Sequence, residues 1–333
     1  MQRLSRRHLL LAACWPAALR AQDRWAHRPV QIVVPFTPGG TTDLLARELV
    51  PALQRALGQP VVIANHAGAG GSVGAAEVAQ AAPDGHTLLM GTVSTHAINP
   101  SLYAHLPYDA LRQFEPITLV AQVPNVLVMN PAMARAAGIG SVAGLVRYAR
   151  AHPGRLNMAS AGNGTSIHLS GELFKRLTHT FMVHIPYRGS APALADLVGG
   201  TMDLMFDNLP SSLPLLRGGR LLGLAVTSRE RAPTVPELPT VAEAGDALPG
   251  RPLRDYEATS WFGLFAPAST PRAIVEQVHQ VVAQALAAPQ LQQRLLSLGA
   301  VPRALPPDEF ADFVRAELHK WAEVVKAAGA RVD

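Results

Sequence analysis

Two short stretches carry the residue types that bind small anions without a cationic side chain. The first is Thr37-Pro38-Gly39-Gly40-Thr41-Thr42-Asp43, directly after the apolar run at 30–35. The second is Ser160-Ala161-Gly162-Asn163-Gly164-Thr165-Ser166, after the apolar run at 156–159. A helical pattern follows each, so each reads as a strand, a turn and a helix start. A helix start exposes unpaired backbone N–H groups and carries partial positive charge. Glycines let that backbone approach a ligand closely, and Thr and Ser hydroxyls add donors. Together these features make a carboxylate or phosphate site. The plainer alternative is that both turns only begin helices, with the hydroxyls as caps. One such turn from each of two domains, facing across a cleft, would grip an anion from two sides.

Other motifs point away from familiar chemistry. No G-x-x-x-x-G-K-[ST] occurs, and Gly68-Ala69-Gly70-Gly71-Ser72-Val73-Gly74 lacks the G-x-G-x-x-G spacing of a dinucleotide site. Gly70-Gly71-Ser72-Val73-Gly74 does match G-x-S-x-G, the pattern of a serine nucleophile elbow. An elbow needs its serine straight off a strand, whereas residues 65–71 intervene here. An exported serine hydrolase using Ser72 is therefore the alternative reading, and a glycine-rich loop with a helix cap the preferred one. The 12 histidines are scattered without H-E-x-x-H or a comparable ligand cluster, so no metal site is expected. His96 and His168 lie in or just after candidate turns, where each either braces the turn or contacts ligand. No carboxylate pair is placed for acid–base work, and neither a catalytic residue nor a cofactor is expected. Asp207 follows an apolar run at 204–206. It either accepts a hydrogen bond from a ligand amine or hydroxyl or is an ordinary surface-turn aspartate.

The elements that must position these residues alternate between short β-rich runs and helical patterns, which argues for parallel sheets with crossover helices. Strands are expected at 30–35, 61–64, 87–90, 117–121, 126–129, 156–159, 182–185, 204–206, 221–226 and 261–266. The helix after the first turn places Leu44, Leu45, Leu49, Leu53, Ala56 and Leu57 on one face and stops at Gly58, with Pro51 expected to kink it. Further helices should begin near Ser72, Ser141, Ser166 and Ser190. Thr270 should cap a helix with Pro271 at its first position and a stripe through Ile274, Val275, Val278, Val281, Val282 and Leu286. A last helix carries Phe310, Phe313, Val314, Leu318, Trp321 and Val325. No repeat of 20–50 residues is visible. Strong strands near 117–129 and 221–227 mark two passages between domains, and the Pro- and Gly-containing region 228–260 reads as a surface excursion. This divides the chain into an export signal at 1–21, one domain from 22–122 and 226–305, a second from 123–225, and a C-terminal helix at 306–333 of unassigned domain.

Composition sets the outer bounds. The 333 residues suit two domains. At 48% hydrophobic and 16% charged, the chain affords a large core, built from aliphatic residues because aromatics are only 5%. The formal charge of +5 is concentrated in Arg3, Arg6, Arg7 and Arg20. Beyond them basic and acidic residues nearly balance and no basic stripe occurs, so nucleic acid is not an expected partner. The Arg-rich start, the run Leu9-Leu10-Leu11-Ala12-Ala13 and the small residues ending at Ala21 form an export signal, with Ser5-Arg6-Arg7-His8-Leu9-Leu10 matching either a twin-Arg or a general signal. Cys14, the only cysteine, sits in Leu11-Ala12-Ala13-Cys14, a lipoprotein-like box; cleavage near Ala21 is the preferred outcome, which suits an oxidising envelope compartment.

In order along the chain, several segments resemble the substrate-binding proteins of tripartite tricarboxylate transporters, the Bug family. They are Pro35-Phe36-Thr37-Pro38-Gly39-Gly40-Thr41-Thr42-Asp43, the stretch 65–71, Pro83-Asp84-Gly85-His86-Thr87 and Thr95-His96-Ala97-Ile98-Asn99-Pro100. Gly162-Asn163-Gly164-Thr165-Ser166-Ile167-His168-Leu169, Pro186-Tyr187-Arg188-Gly189-Ser190-Ala191-Pro192, Leu224-Ala225-Val226-Thr227-Ser228 and Pro239-Thr240-Val241-Ala242-Glu243-Ala244-Gly245 complete the set. The resemblance implies a type II periplasmic-binding-protein-like α/β fold, with two α/β domains joined by two crossover strands around a cleft. It implies a small carboxylate-bearing ligand held through backbone N–H groups, hydroxyls and water. The partners it implies are integral membrane transporter subunits or a sensor kinase; a periplasmic monomer is expected. Carried onto this chain, the ligand-binding residues are Phe36, Gly39, Gly40, Thr41, Thr42, Asp43, Ser94, Thr95, Gly164, Thr165, Ser166, His168 and Asp207. Departures from the family pattern are Ala64-Asn65-His66-Ala67, where Glu-Asn-Arg-Pro is usual, Thr41, where Gly or Ser is common, and Pro51.

Overall fold

The computed structural model describes residues 25–332; the leader, its twin-Arg pattern and Cys14 lie outside the described residues. Ten strands are present: β1 Val30–Val34, β2 Val61–Asn65, β3 Thr87–Thr92, β4 Phe114–Met129, β5 Asn157–Ser160, β6 Val183–Pro186, β7 Leu204–Asn208, β8 Leu222–Val226, β9 Thr259–Pro267 and β10 Val301–Pro302. The helices are α1 Thr41–Leu57, α2 Ser72–Ala79, α3 Asn99–Leu102, α4 Pro131–Ala136, α5 Val142–Ala151, α6 Ser166–Thr178, α7 Ser190–Gly199, α8 Leu209–Arg217, α9 Val241–Ala244, α10 Arg272–Ala287, α11 Pro289–Ser297 and α12 Pro307–Ala328. A π-helical turn, Ser94–Ile98, precedes α3.

The strands run β2-β1-β3-β9-β4-β7-β5-β6, with β8 and β10 also paired to β4. β4 joins two lobes. Its first part, Phe114 to Pro124, pairs antiparallel with β9, and Asn125 to Met129 pairs antiparallel with β7 and β8. Each lobe also has a parallel trio: β2, β1 and β3 in the first, β6, β5 and β7 in the second. The two runs expected at 117–121 and 126–129 are thus one strand. Its burial is unbroken from Ile117 to Ala121 and from Val123 to Asn130, because sheet neighbours and helices cover both faces.

The return passage differs from the expected one. β8 pairs with the second-lobe part of β4, and its last residue, Val226, bridges to Thr240. The chain then runs over the second lobe and re-enters the first through β9. Thr227 holds the junction. Its hydroxyl donates to the Ala258 carbonyl at 2.6 Å, and its backbone N–H donates to the Asn125 carbonyl at 2.9 Å. The excursion is anchored rather than loose, with Ala232, Val235, Val241, Leu248, Leu253 and Tyr256 buried. Apolar residues spaced between the prolines give it a core face of its own.

α1 forms as its spacing dictates. Leu45, Leu49, Leu53 and Leu57 share a buried face, and Gly58 ends the helix in the left-handed region at φ 66°. Pro51 does not interrupt it; the proline faces solvent, where water can satisfy the carbonyl left without an N–H donor. Pro271 is the cap position of α10 rather than its first residue, and the Thr270 hydroxyl donates to Pro267 instead of capping. The first lobe packs β1, β3, α1 and α10 around Ile32, Leu45, Leu88 and Val278. The second packs β7, α7 and α8 around Met205, Leu197 and Leu213. A third cluster runs under α12 across both lobes, from Leu89 and Phe265 to Leu127, Phe174 and Phe206.

Candidate functional site

Five helical elements begin at one small cleft between the lobes. α1 brings Gly40, Thr41 and Thr42, the π-helical turn brings Ser94, and α6 brings Thr165, Ser166 and Ile167. α7 brings Ser190, and Asn208, the cap position of α8, closes the ring. Phe36, Thr92, Ala161, Ser260 and Phe262 fill the walls. Among the described residues, no Lys or Arg lines this cleft. Its positive potential comes from the unpaired N–H groups and dipoles of converging helix starts. The free space between the walls is about 20 Å³, about the room one water needs. This is a closed arrangement of the lobes, tied across the cleft by Thr41 to Ser211 at 3.1 Å, Tyr103 to the Asn163 carbonyl at 3.2 Å and Ser166 to Ser260 at 3.3 Å.

Of the residues singled out from sequence, Phe36, Gly40, Thr41, Thr42, Ser94, Thr165 and Ser166 line the cleft. The other six lie beside or behind its walls. Gly39 donates its N–H to Asp43 at 3.0 Å. Asp43 also accepts from Asn65 and pairs with Arg47 at 2.9 Å, so it braces the first turn from below. Burial opposes its charge, yet the hydrogen bonds and Arg47 hold its carboxyl below the usual range. Thr95 ties β3 to the π-helical turn: its hydroxyl accepts from the Thr92 N–H at 2.9 Å and donates to the Thr92 carbonyl at 3.1 Å. Gly164 donates its N–H to Nδ1 of His168 at 3.3 Å, so His168 supports the second turn. Asp207 is fully buried under the cleft, accepting hydrogen bonds from Ser190, Ser211 and Ser212.

His96 is buried against Phe265, ring on ring at 3.8 Å, and its site drives its pKa down to about 3 by desolvation. Ser72 is buried at the start of α2, and its hydroxyl accepts from the Asn99 amide at 3.0 Å. Among the described residues no histidine hydrogen-bonds to it, so the histidine–serine pair of an activated nucleophile is not formed there. His168, Glu172 and His184 bring donor atoms within 4.8 Å of one another. The two rings stack at 4.0 Å with an 18° interplanar angle, which aims their lone pairs side by side rather than at a common point. Lys175 already lies 2.7 Å from Glu172 and supplies the cation there.

Thr92, Ala161, Ile167, Ser190, Asn208, Ser260 and Phe262 line the cleft without having been singled out as ligand-binding. Ser190 was legible as a helix start; Asn208, the last residue of β7, was not singled out. Ser260 and Phe262 carry no local signal, because β9 reaches the site only through pairing with β3 and β4.

The profile of the tripartite tricarboxylate transporter family receptors matches residues 45–330. The chain belongs to that family. Among solved structures, the R. palustris protein Rpa4515 with adipate superposes with a TM-score of 0.86 at 40% identity, covering 92% of this chain and 100% of that one. The periplasmic binding protein BugD gives 0.83 at 34%, covering 92% and 99%. MatC from Rhodopseudomonas palustris with bound malate gives 0.83 at 35%, covering 90% and 99%. The receptor's two-lobed α/β fold is thus that of the periplasmic binding proteins, as the sequence resemblance implied.

Proposed function

We propose that this receptor captures a small carboxylate-bearing metabolite between its lobes, in the periplasm, and delivers it to integral membrane transporter subunits or a sensor. The observation that carries the reading is the meeting of five helix starts in a cleft whose lining, among the described residues, has no cationic side chain. Such a cleft attracts an anion while leaving its hydrogen bonds directional. The adipate and malate held by the two R. palustris proteins support a carboxylate ligand. A ligand larger than water enters as the lobes part, and closure is favoured by contacts available only across the shut cleft. The reading has the leader at 1–21 export the chain, treats the receptor as a monomer, and needs no cofactor or catalytic residue.

The test is thermal. Protein unfolded and refolded to remove co-purified ligand should melt higher with a bound di- or tricarboxylate; at 100 times its dissociation constant, the gain is about 2.7 kcal/mol. A broad carboxylate panel that moves the melting temperature nowhere contradicts the proposal.

A further inference from the structure

The hydroxyl hydrogens on one wall of the cleft can be assigned one by one. Asp207, fully buried between β7 and α8, accepts Ser190 at 2.6 Å on one oxygen, and Ser211 at 2.5 Å and Ser212 at 2.7 Å on the other. An ionised carboxylate only accepts, so the Ser190 and Ser212 hydrogens point at it, and the Ser211 hydrogen goes to it or to the Asn208 carbonyl at 2.9 Å. Either way the Ser211 hydrogen is spent, so the Thr41 hydroxyl completes the chain by donating to Ser211 at 3.1 Å. Ser190 and Thr41 both face the cleft. Each has spent its hydrogen and presents only lone pairs. Burial pushes the Asp207 carboxyl up, and the three serine hydroxyls with the Asn208 N–H counter it by favouring the charged form. The donors of the same cleft are the N–H groups that begin α1 and α6, with the hydroxyl of Ser94.

We infer that the receptor selects a carboxylate that also carries a hydrogen-bond donor, a hydroxyl or ammonium a bond or two from its carboxyl group, received by Ser190 and Thr41 against the buried Asp207. This rests on the carboxylate reading above and narrows its ligand class. A ligand that turns a second, ionised carboxylate toward these two hydroxyls meets lone pairs backed by the buried Asp207 carboxyl and finds no hydrogen on either. Asp207 acts as a positioning residue: it touches no ligand, and it fixes the direction of two hydroxyls that do. The aspartate weighed from sequence as a direct acceptor of a ligand amine or hydroxyl works here through Ser190 and Thr41.

Calorimetric titration of refolded protein with matched pairs tests this: malate against succinate, and glutamate against glutarate, with adipate as a long diacid. The donor-bearing member of at least one pair should bind about fivefold tighter or more, the size of an ordinary neutral hydrogen bond. Asp207→Asn, which can donate back to the serines, should cut that ratio at least threefold and raise the relative affinity for the plain diacids. Ser190→Ala, which removes one acceptor without touching the buried carboxylate, should also lower the ratio if Asp207→Asn fails to fold. Ratios below fivefold in both pairs, with carboxylates still binding, overturn the inference and leave the carboxylate reading standing. A fivefold ratio unchanged by Ser190→Ala and Asp207→Asn likewise overturns the assigned role of this wall. If none of the five compounds binds, the inference falls together with the carboxylate reading for this ligand range.

Discussion

Two aspartates show how position, not type, sets a side chain's part in this receptor. Asp43 sits one turn into α1, and its hydrogen bonds and Arg47 outweigh the cost of burial, so its carboxyl stays below the ordinary range. Asp207 has only hydroxyls and one backbone N–H as partners, and full burial wins, pushing its carboxyl up. The buried histidines make the same kind of contrast measurable. Desolvation takes His96 down to about 3, and His184 to about 3 with neighbouring charge contributing. An unfolded histidine takes up its proton near pH 6.5. Between about pH 6.5 and 3 the unfolded chain therefore binds more protons than the folded one. Stability is present above that window and is lost as pH falls through it. Urea unfolding at pH 7 and pH 4 should show a loss that is smaller by about 2–3 kcal/mol in His96→Gln, from the histidine's shift over that interval. Equal losses in the two proteins would show that His96 is not the neutral buried group described.

At the scale of elements, local signals predicted what was local. The heptad-like leucines of α1, the Gly58 stop and the Ser/Thr helix starts at 72, 141, 166 and 190 are each written within a few residues. They were found within a residue or two of their observed ends. What failed to show was tertiary. Ile117–Met129 read as two runs because Gln122, Pro124 and Asn125 interrupt the apolar pattern at the point where β4 changes lobes. The π-helical turn, with its fully buried Thr95 and His96, follows no simple period. Likewise half the cleft was legible, from the first turns of α1 and α6. The contributions of α7, α8 and β9 depend on sheet pairings that no short window records. α12 is the clearest case of an element whose role is set by its surroundings: it packs on the π-helical turn and α3 in one lobe and on α6 in the other. Phe310 anchors it, with its ring 5.1 Å from Phe265 and 6.0 Å from Trp261. Gly263 makes room, since a Cβ there would sit 2.2 Å from the Phe310 ring. Phe310→Ala should cost about 3–5 kcal/mol in chemical denaturation. A loss under about 1 kcal/mol would mean that α12 is docked by other contacts.

In the proposed function the lobes come together around the ligand, and the contact between them in this structure is tight. Gly189, just before α7, approaches Thr37 across the cleft so closely that a Cβ would lie 2.1 Å from the threonine hydroxyl and 3.0 Å from its backbone N. Gly189 itself is extended at φ 164°, so alanine strains no backbone there; the obstruction is to closure alone. Gly189→Ala should thus weaken ligand binding at least tenfold while the melting temperature without ligand changes little. Unaltered affinity would show that the lobes need not meet this closely. The central claim, that helix starts rather than cationic side chains hold the anion, is best tested by a crystal structure of the refolded receptor with malate. The account predicts a carboxylate within about 3 Å of backbone N–H groups at the starts of α1 and α6, between shut lobes. A malate seated outside the cleft, or paired there with an Arg or Lys side chain, would contradict it.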